Sequence, residues 1–213
     1  MRAIIFDLDG VIVSTDDYHY LAWKKIADKL NIPFHEEANH RLRGVSRMES
    51  LEIILRDGNV ELSENEKLLL AEEKNDIYRQ MLNQLSPEGL DAEVLVSLHT
   101  LRKRGWKLAI GSSSKNARAI LSRIGLENEF DAIADGTMIR NSKPDPEVFL
   151  MASQALAVNP EDCFVVEDAW AGILAGKRAG MKTIAVGDAR NSSEADHKVN
   201  TFAEILKIVE DPK

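Results

Sequence analysis

The chain opens on an uninterrupted apolar run, Ala3 to Phe6, which has no polar face to show to water and so predicts a buried parallel strand. After it, Ser14-Thr15-Asp16-Asp17 offers several N-caps for a helix to about Leu30, with Ala22, Trp23, Ile26, Ala27 and Leu30 on one face. Asn31-Ile32-Pro33 ends that helix, and His35 to Leu85 reads as helical and strand-free, broken at Gly44-Val45-Ser46 and at Asp57-Gly58-Asn59. Its long last helix starts at the capping box Ser63-Glu64-Asn65-Glu66. Beyond Ser86-Pro87-Glu88-Gly89 the pattern changes. Strands are predicted at 107–110, 132–134, 164–166 and 182–186, alternating with helices, and the chain closes with a polar loop and a short helix. Repeated strand–helix units imply a parallel sheet covered on both faces. The predicted fold class is therefore α/β: a Rossmann-like parallel-sheet core with an all-helical cap inserted after the first strand. The core would comprise residues 1–14 and 86–213, and the cap 15–85.

Composition narrows the function. A length of 213 residues allows one good core and a small second module. With 44% hydrophobic and 29% charged residues the chain reads as an ordinary soluble globular protein. A formal charge of −8 argues against nucleic acid or an anionic membrane as partner, but not against small phosphorylated ligands, which need only local positive charge. The single Cys163 excludes an internal disulfide and suits a reducing cytoplasm; within Cys163-Phe164-Val165-Val166 it reads as a buried structural thiol. No signal peptide or membrane-length apolar segment is found. A cytoplasmic monomer is expected, since no long exposed apolar stripe stands out.

The first strand ends in Asp7-Leu8-Asp9-Gly10, two carboxylates one residue apart at the kind of strand tip where open α/β sheets bind ligands. Carboxylates placed together favour a hard cation such as Mg²⁺, so Asp7 and Asp9 are expected to turn toward one spot. A polar Asp-Gly turn is the plainer reading, but a fully apolar strand ahead of both acids weighs against it. Three more strand ends carry matching groups. Ser112 follows an apolar strand and is expected at a helix N-terminus, with free N–H groups for a phosphate. Lys143 precedes a proline that keeps its segment from being helical, and it can balance phosphate charge. Glu167-Asp168 ends another apolar strand and suits further metal ligands, against the alternative of an N-cap at Asp168. Singly each is weak; four in this order, all at parallel strand tips, form a strong signal.

Asp7-Leu8-Asp9-Gly10-Val11, then Ser112, Lys143 and Glu167-Asp168, resembles the motif set of the haloacid dehalogenase superfamily. Further segments resemble its β-phosphoglucomutase-like subfamily: Tyr18-His19, Ala22-Trp23-Lys24, Gly44-Val45-Ser46-Arg47, Lys74-Asn75-Asp76 with Tyr78, and Ser114-Lys115-Asn116. The resemblance implies a Mg²⁺-dependent enzyme acting on a sugar phosphate, with Asp7 as phosphoryl-accepting nucleophile and Asp9 as acid/base. It implies Mg²⁺ held by Asp7, the Asp9 backbone carbonyl and Asp168, with Glu167 in support. Ser112 and Lys143 would hold the transferring phosphoryl group, and Arg47, Ser114 and Asn116 the distal phosphate. Trp23, Gly44, Lys74 and Asn75 would line the sugar site, and His19 with the hinge residue Thr15 would couple closure to Asp9. The implied reaction interconverts β-D-glucose 1-phosphate and glucose 6-phosphate; hydrolysis of a small phosphomonoester is the alternative. The chain departs from the family pattern at Leu90-Asp91-Ala92-Glu93-Val94, which lacks the usual Pro-Gly pair, and the segment from Asp188 to Lys198 matches nothing useful.

Overall fold

In the computed structural model, residues 2–210 are described. Six parallel strands form one sheet among them, in the order β3-β2-β1-β4-β5-β6. These are β1 (Ala3–Phe6), β2 (Lys107–Gly111), β3 (Ala132–Ala134), β4 (Cys163–Glu167), β5 (Lys182–Ala185) and β6 (His197–Lys198). The register pairs Phe6 with Ile110 on one side and with Val166 on the other, so the tips of β2, β1 and β4 lie abreast. The strand order reverses between β1 and β4, which is where doubly wound sheets open a crevice.

The period-2 alternation of β1 divides two cores. Ile4 and Phe6 join a cluster with α5 (Ala92–Lys103), α6 (Ala117–Arg123) and α9 (Glu204–Glu210). Ala3 and Ile5 face the other way, toward α7 (Glu147–Leu156) and α8 (Trp170–Arg178). Burial on both faces is why these strands are uniformly apolar rather than alternating.

Between β1 and β2 lie α1 (Asp16–Lys29), α2 (Glu36–His40), α3 (Arg47–Asp57) and α4 (Glu64–Met81), with no strand in the segment. They enclose a separate apolar cluster that includes Trp23, Ile26, Phe34, Leu51, Ile54 and Leu70. Both α3 and α4 begin with complete capping boxes, Ser46 with Glu49 and Ser63 with Glu66. The foot of α4 behaves differently: Tyr78, and Leu82 just beyond it, pack into the sheet-side core instead.

Two expectations are corrected. A sixth strand, β6, extends the sheet where a plain polar loop was expected; it is two residues long and has no apolar run to announce it. Ser112 is not at a helix N-terminus, because α6 begins only at Ala117, with Asn116 as its N-cap. The intervening turn is held by side chains, the Ser114 amide donating to Ser112 Oγ and the Asn116 amide to Ser114 Oγ, both at 3.2 Å.

Candidate active site

Asp7 directly follows β1, and its amide donates to the Val166 carbonyl at 2.9 Å, which sets its carboxylate beside the tip of β4. Glu167 and Asp168 stand there, and the three buried acids have carboxylate oxygens within 4.8 Å of one another. Lys143, fully buried, donates from Nζ to Asp7 and, at 2.5 Å, to Glu167 Oε1. Glu167 Oε2 also accepts from the Ala169 amide at 3.1 Å. Ala169 rather than Asp168 is the N-cap of α8, so the Asp168 carboxylate is left to the site.

Two glycines make room for this cluster. A Cβ on Gly10, where φ is +81°, would lie 2.1 Å from Asp168 Oδ2, and one on Gly172 would lie 1.9 Å from Glu167 Oε1. One ammonium cannot neutralise three carboxylates. Burial and the neighbouring acids accordingly push Asp7 and Asp168 above the usual carboxylate range, while the paired acids hold Lys143 above its ordinary value. A divalent cation with oxygen ligands fits this charge deficit and this donor set.

The Asp9 carboxylate does not share that spot, contrary to expectation. It accepts from the Thr15 hydroxyl and lies 3.9 Å from His19 Nε2. The reason lies in the tight turn after β1, in which the Ile12 and Val13 amides both donate to the Leu8 carbonyl. Thr15 is the N-cap of α1 but makes no capping hydrogen bond; its hydroxyl serves Asp9 instead. Burial alone would raise Asp9, but the His19 imidazole N–H facing it and the Thr15 hydroxyl hold it below the usual carboxylate range.

His19 Nδ1 is 2.8 Å from Lys74 Nζ. An ammonium can only donate, so Nδ1 accepts and Nε2–H faces Asp9. Burial, reinforced by the positive charge of Arg47, lowers the Lys74 ammonium to a pKa of about 7. That ammonium sits over the rings of Trp23 (4.9 Å) and Tyr78 (4.7 Å). Trp23 is thus a buried packing residue whose ring supports Lys74.

From α3, Arg47 donates to Asn75 Oδ1 at 2.7 Å, and the same oxygen accepts from Asn116 Nδ2 at 2.9 Å. Asn75 therefore joins the helical segment to the loop after β2. A second link runs from Ser113 Oγ to the Gly44 carbonyl, 3.2 Å. The side chains of Asp7, Asp9, Asp168, His19, Arg47, Lys74, Asn75 and Asn116 line one cavity of about 1040 Å³, whereas Thr15, Lys143 and Glu167 stand behind its wall. Lys115 lines it too, and so does Arg43, which bridges Asp16 (2.5 Å) and Asp188 (2.6 Å). These two, with Tyr78 at its wall, were not singled out as site residues. Arg43 and Asp188 are 145 positions apart, so no local pattern announces their pairing.

A β-strand tip carrying Asp7 and Asp9, a buried lysine and a second acidic pair around one cavity agrees with what the sequence comparison finds. Residues 4–186 match the haloacid dehalogenase-like hydrolase family. The chain belongs to that family. Among its relatives, the beta-phosphoglucomutase of Bacillus subtilis is 44% identical over 207 residues, covering 96% of this chain and 92% of that protein. A phosphorylated carbohydrates phosphatase of Thermotoga maritima is 33% identical, covering 86% of this chain and 84% of that protein. The crystal structure of a beta-phosphoglucomutase from Clostridium difficile superposes with a TM-score of 0.93 at 39% identity, covering 99% of this chain and 96% of that one. Membership of the haloacid dehalogenase-like family accounts for the six-stranded parallel sheet and the strand-tip location of the acids. Among the described residues no helix is long and apolar enough to cross a membrane.

Proposed function

We propose that this protein is a Mg²⁺-dependent β-phosphoglucomutase, interconverting β-D-glucose 1-phosphate and glucose 6-phosphate. The observation that carries the reading is a guanidinium lining the cavity from the helical segment: Arg47, tied through Asn75 to Asn116 on the sheet side. A mutase must grip a sugar bisphosphate at both ends, and a guanidinium on an element separate from the nucleophile serves the far phosphate. The high identity to the Bacillus enzyme across nearly the whole chain supports the same reading.

Asp7, Asp168 and the Asp9 main-chain carbonyl would hold Mg²⁺, with Glu167 fixing Lys143 beside them. When bound, the ion supplies charge neutralisation to the phosphoryl oxygens. An Asp7 carboxylate oxygen attacks phosphorus as the bond from phosphorus to the sugar oxygen breaks, and Asp9 gives that oxygen a proton. From the 1-phosphate of glucose 1,6-bisphosphate this step releases glucose 6-phosphate. In the second half-reaction Asp9 takes the proton from the 6-hydroxyl of an incoming β-D-glucose 1-phosphate, whose oxygen attacks the aspartyl phosphate, freeing Asp7 and forming the bisphosphate again. Ser112 and Lys143 hold the phosphoryl group in flight; Arg47, Ser114 and Asn116 hold the resting one. His19, Gly44, Lys74 and Asn75 contact the sugar, with Trp23 beneath Lys74. Residues 15–85 act as the cap over a core of 1–14 and 86–213, Thr15 lies at the hinge, and closure keeps water from the aspartyl phosphate.

Phosphatase action is the second reading, favoured by the likeness to the Thermotoga phosphatase. The test uses Mg²⁺, β-D-glucose 1-phosphate and a trace of glucose 1,6-bisphosphate, following glucose 6-phosphate and free phosphate together. Glucose 6-phosphate without matching phosphate release is the expected result. Free phosphate with little glucose 6-phosphate would replace the mutase by a hydrolase.

A further inference from the structure

Tyr78 is 1% exposed and touches each of the three side chains gathered around Asp9. Its hydroxyl is 2.8 Å from Thr15 Oγ1, its ring lies 4.2 Å from the His19 ring with the two planes tilted by 35°, and the Lys74 ammonium stands over its ring, 4.7 Å from the centroid. The direction of the hydrogen bonds follows from counting protons. Thr15 has one hydroxyl proton, and the Asp9 carboxylate, which can only accept, takes it. The bond between Thr15 and Tyr78 must then run from the phenol to Thr15 Oγ1. The phenol is kept neutral by burial, which raises it far above its usual range.

We propose that Tyr78 is a positioning residue for Asp9: its hydroxyl, donating through Thr15, fixes Asp9 Oδ1 and leaves Oδ2, the oxygen facing His19, to exchange the proton with substrate. The placement of Tyr78 makes this effective. It lies on the last helix of the inserted segment, yet its side chain packs into the sheet-side core with Leu82. Thr15 enters from the first connection and Tyr78 from α4, near the second, so both connections converge on one carboxylate oxygen. Chains of hydrogen bonds of this kind polarise one another and lock rotamers, which is how an acid/base is kept within reach of its target.

This inference rests on the reading of Asp9 as acid/base, and its test separates the two. Phosphoenzyme formation is measured in a single turnover, by acid quench, from two donors. Glucose 1,6-bisphosphate leaves as a sugar alkoxide that needs a proton; acetyl phosphate leaves as acetate, which needs none. Tyr78→Phe keeps the ring and removes only the donor. It should slow transfer from the bisphosphate about tenfold and leave transfer from acetyl phosphate within about twofold, since the affected contribution is proton transfer alone. Thr15→Val should show the same selectivity, and the double variant should lose no more than the worse single one, as expected for two links of one chain. Equal slowing with both donors would mean a purely structural role and would overturn the proposal, as would full activity of Tyr78→Phe on the bisphosphate. If the wild type fails to react with glucose 1,6-bisphosphate, the substrate assignment falls, and ethyl phosphate, whose alkoxide also needs a proton to leave, takes its place in the same comparison.

Discussion

The sheet tips and the helical segment both contribute charged side chains to one cavity, but they hold them in different ways. At the tips, Asp7, Lys143 and Glu167 are locked by main-chain register and mutual ion pairs, and all three are buried. The helical segment instead offers Arg47 and Lys74, which have no carboxylate partner among the ion pairs of the described residues. Arg47 rests on an amide, and Lys74 on an imidazole and two rings. The tips are therefore organised before any ligand arrives, whereas the cations opposite are left with unspent capacity for an anionic or hydroxylated one. Under the proposed function, reaction chemistry would belong to the first group and recognition to the second.

The largest way to break this division is Asp7→Asn. It removes the nucleophile but leaves Lys143 its pairing with Glu167, so the fold should persist while turnover falls about 10⁴-fold or more and no acid-stable phosphoenzyme forms. Residual phosphoenzyme would place the nucleophile elsewhere.

Lys74→Met tests whether the recognition group is retained at a cost. The folded-state pKa of Lys74 is lowered from 10.5 to about 7, so between those values the unfolded chain binds more protons and wild-type stability rises with pH. Below about pH 7 the full penalty of burying the ammonium is present. The methionine variant should thus be more stable by a few kcal/mol near pH 7, an advantage that disappears toward pH 10.5, while its KM for sugar phosphate rises. Denaturant melts of both proteins at several pH values supply the check, and a constant difference across that range would contradict it.

Arg47→Ala sharpens the comparison from the other side. Transfer between glucose positions should drop about 10²-fold, the scale of one lost charge-assisted contact, with phosphoenzyme formation from acetyl phosphate nearly unchanged. Equal losses would make Arg47 part of the reaction chemistry. The smallest effect is expected at Asp188→Asn. The ion pair it breaks with Arg43 has a 60% exposed partner in Asp188, so equilibrium unfolding should shift by about 0.5 kcal/mol or less. A loss well beyond that would show that the pair fastens the helical segment to the sheet.

How much was legible in the sequence follows the same division. Apolar runs ending in acids marked β1 and β4, because a strand covered on both faces has no alternation to obscure it. Capping boxes marked the start of α4. Where side chains replace main-chain pattern, reading from sequence failed. The five-residue turn after β2, built on the hydroxyls of Ser112 and Ser114, reads in the sequence as a helix start. The turn that swings the Asp9 carboxylate toward Thr15 and His19 likewise left no periodic trace, and it separates two acids that the sequence places side by side. Tyr78 appeared only as a match to a motif, since its contacts with Thr15 and His19 span 63 and 59 positions.

The 18-residue helix α4 is a rod about 27 Å long with its foot in one apolar cluster and the rest of its length in another. Tyr78 sits near the fulcrum and Asn75 one turn along it, while α3, with Arg47, packs against the shaft. A rod of that length magnifies displacement: a tilt of about 10° about the foot sweeps the far end by roughly 5 Å but moves a group one turn from the fulcrum by only about 1 Å. Lys74 and Asn75 therefore lie where leverage is small, so any such tilt would disturb the side chains proposed to meet the sugar far less than the outer part of the helix.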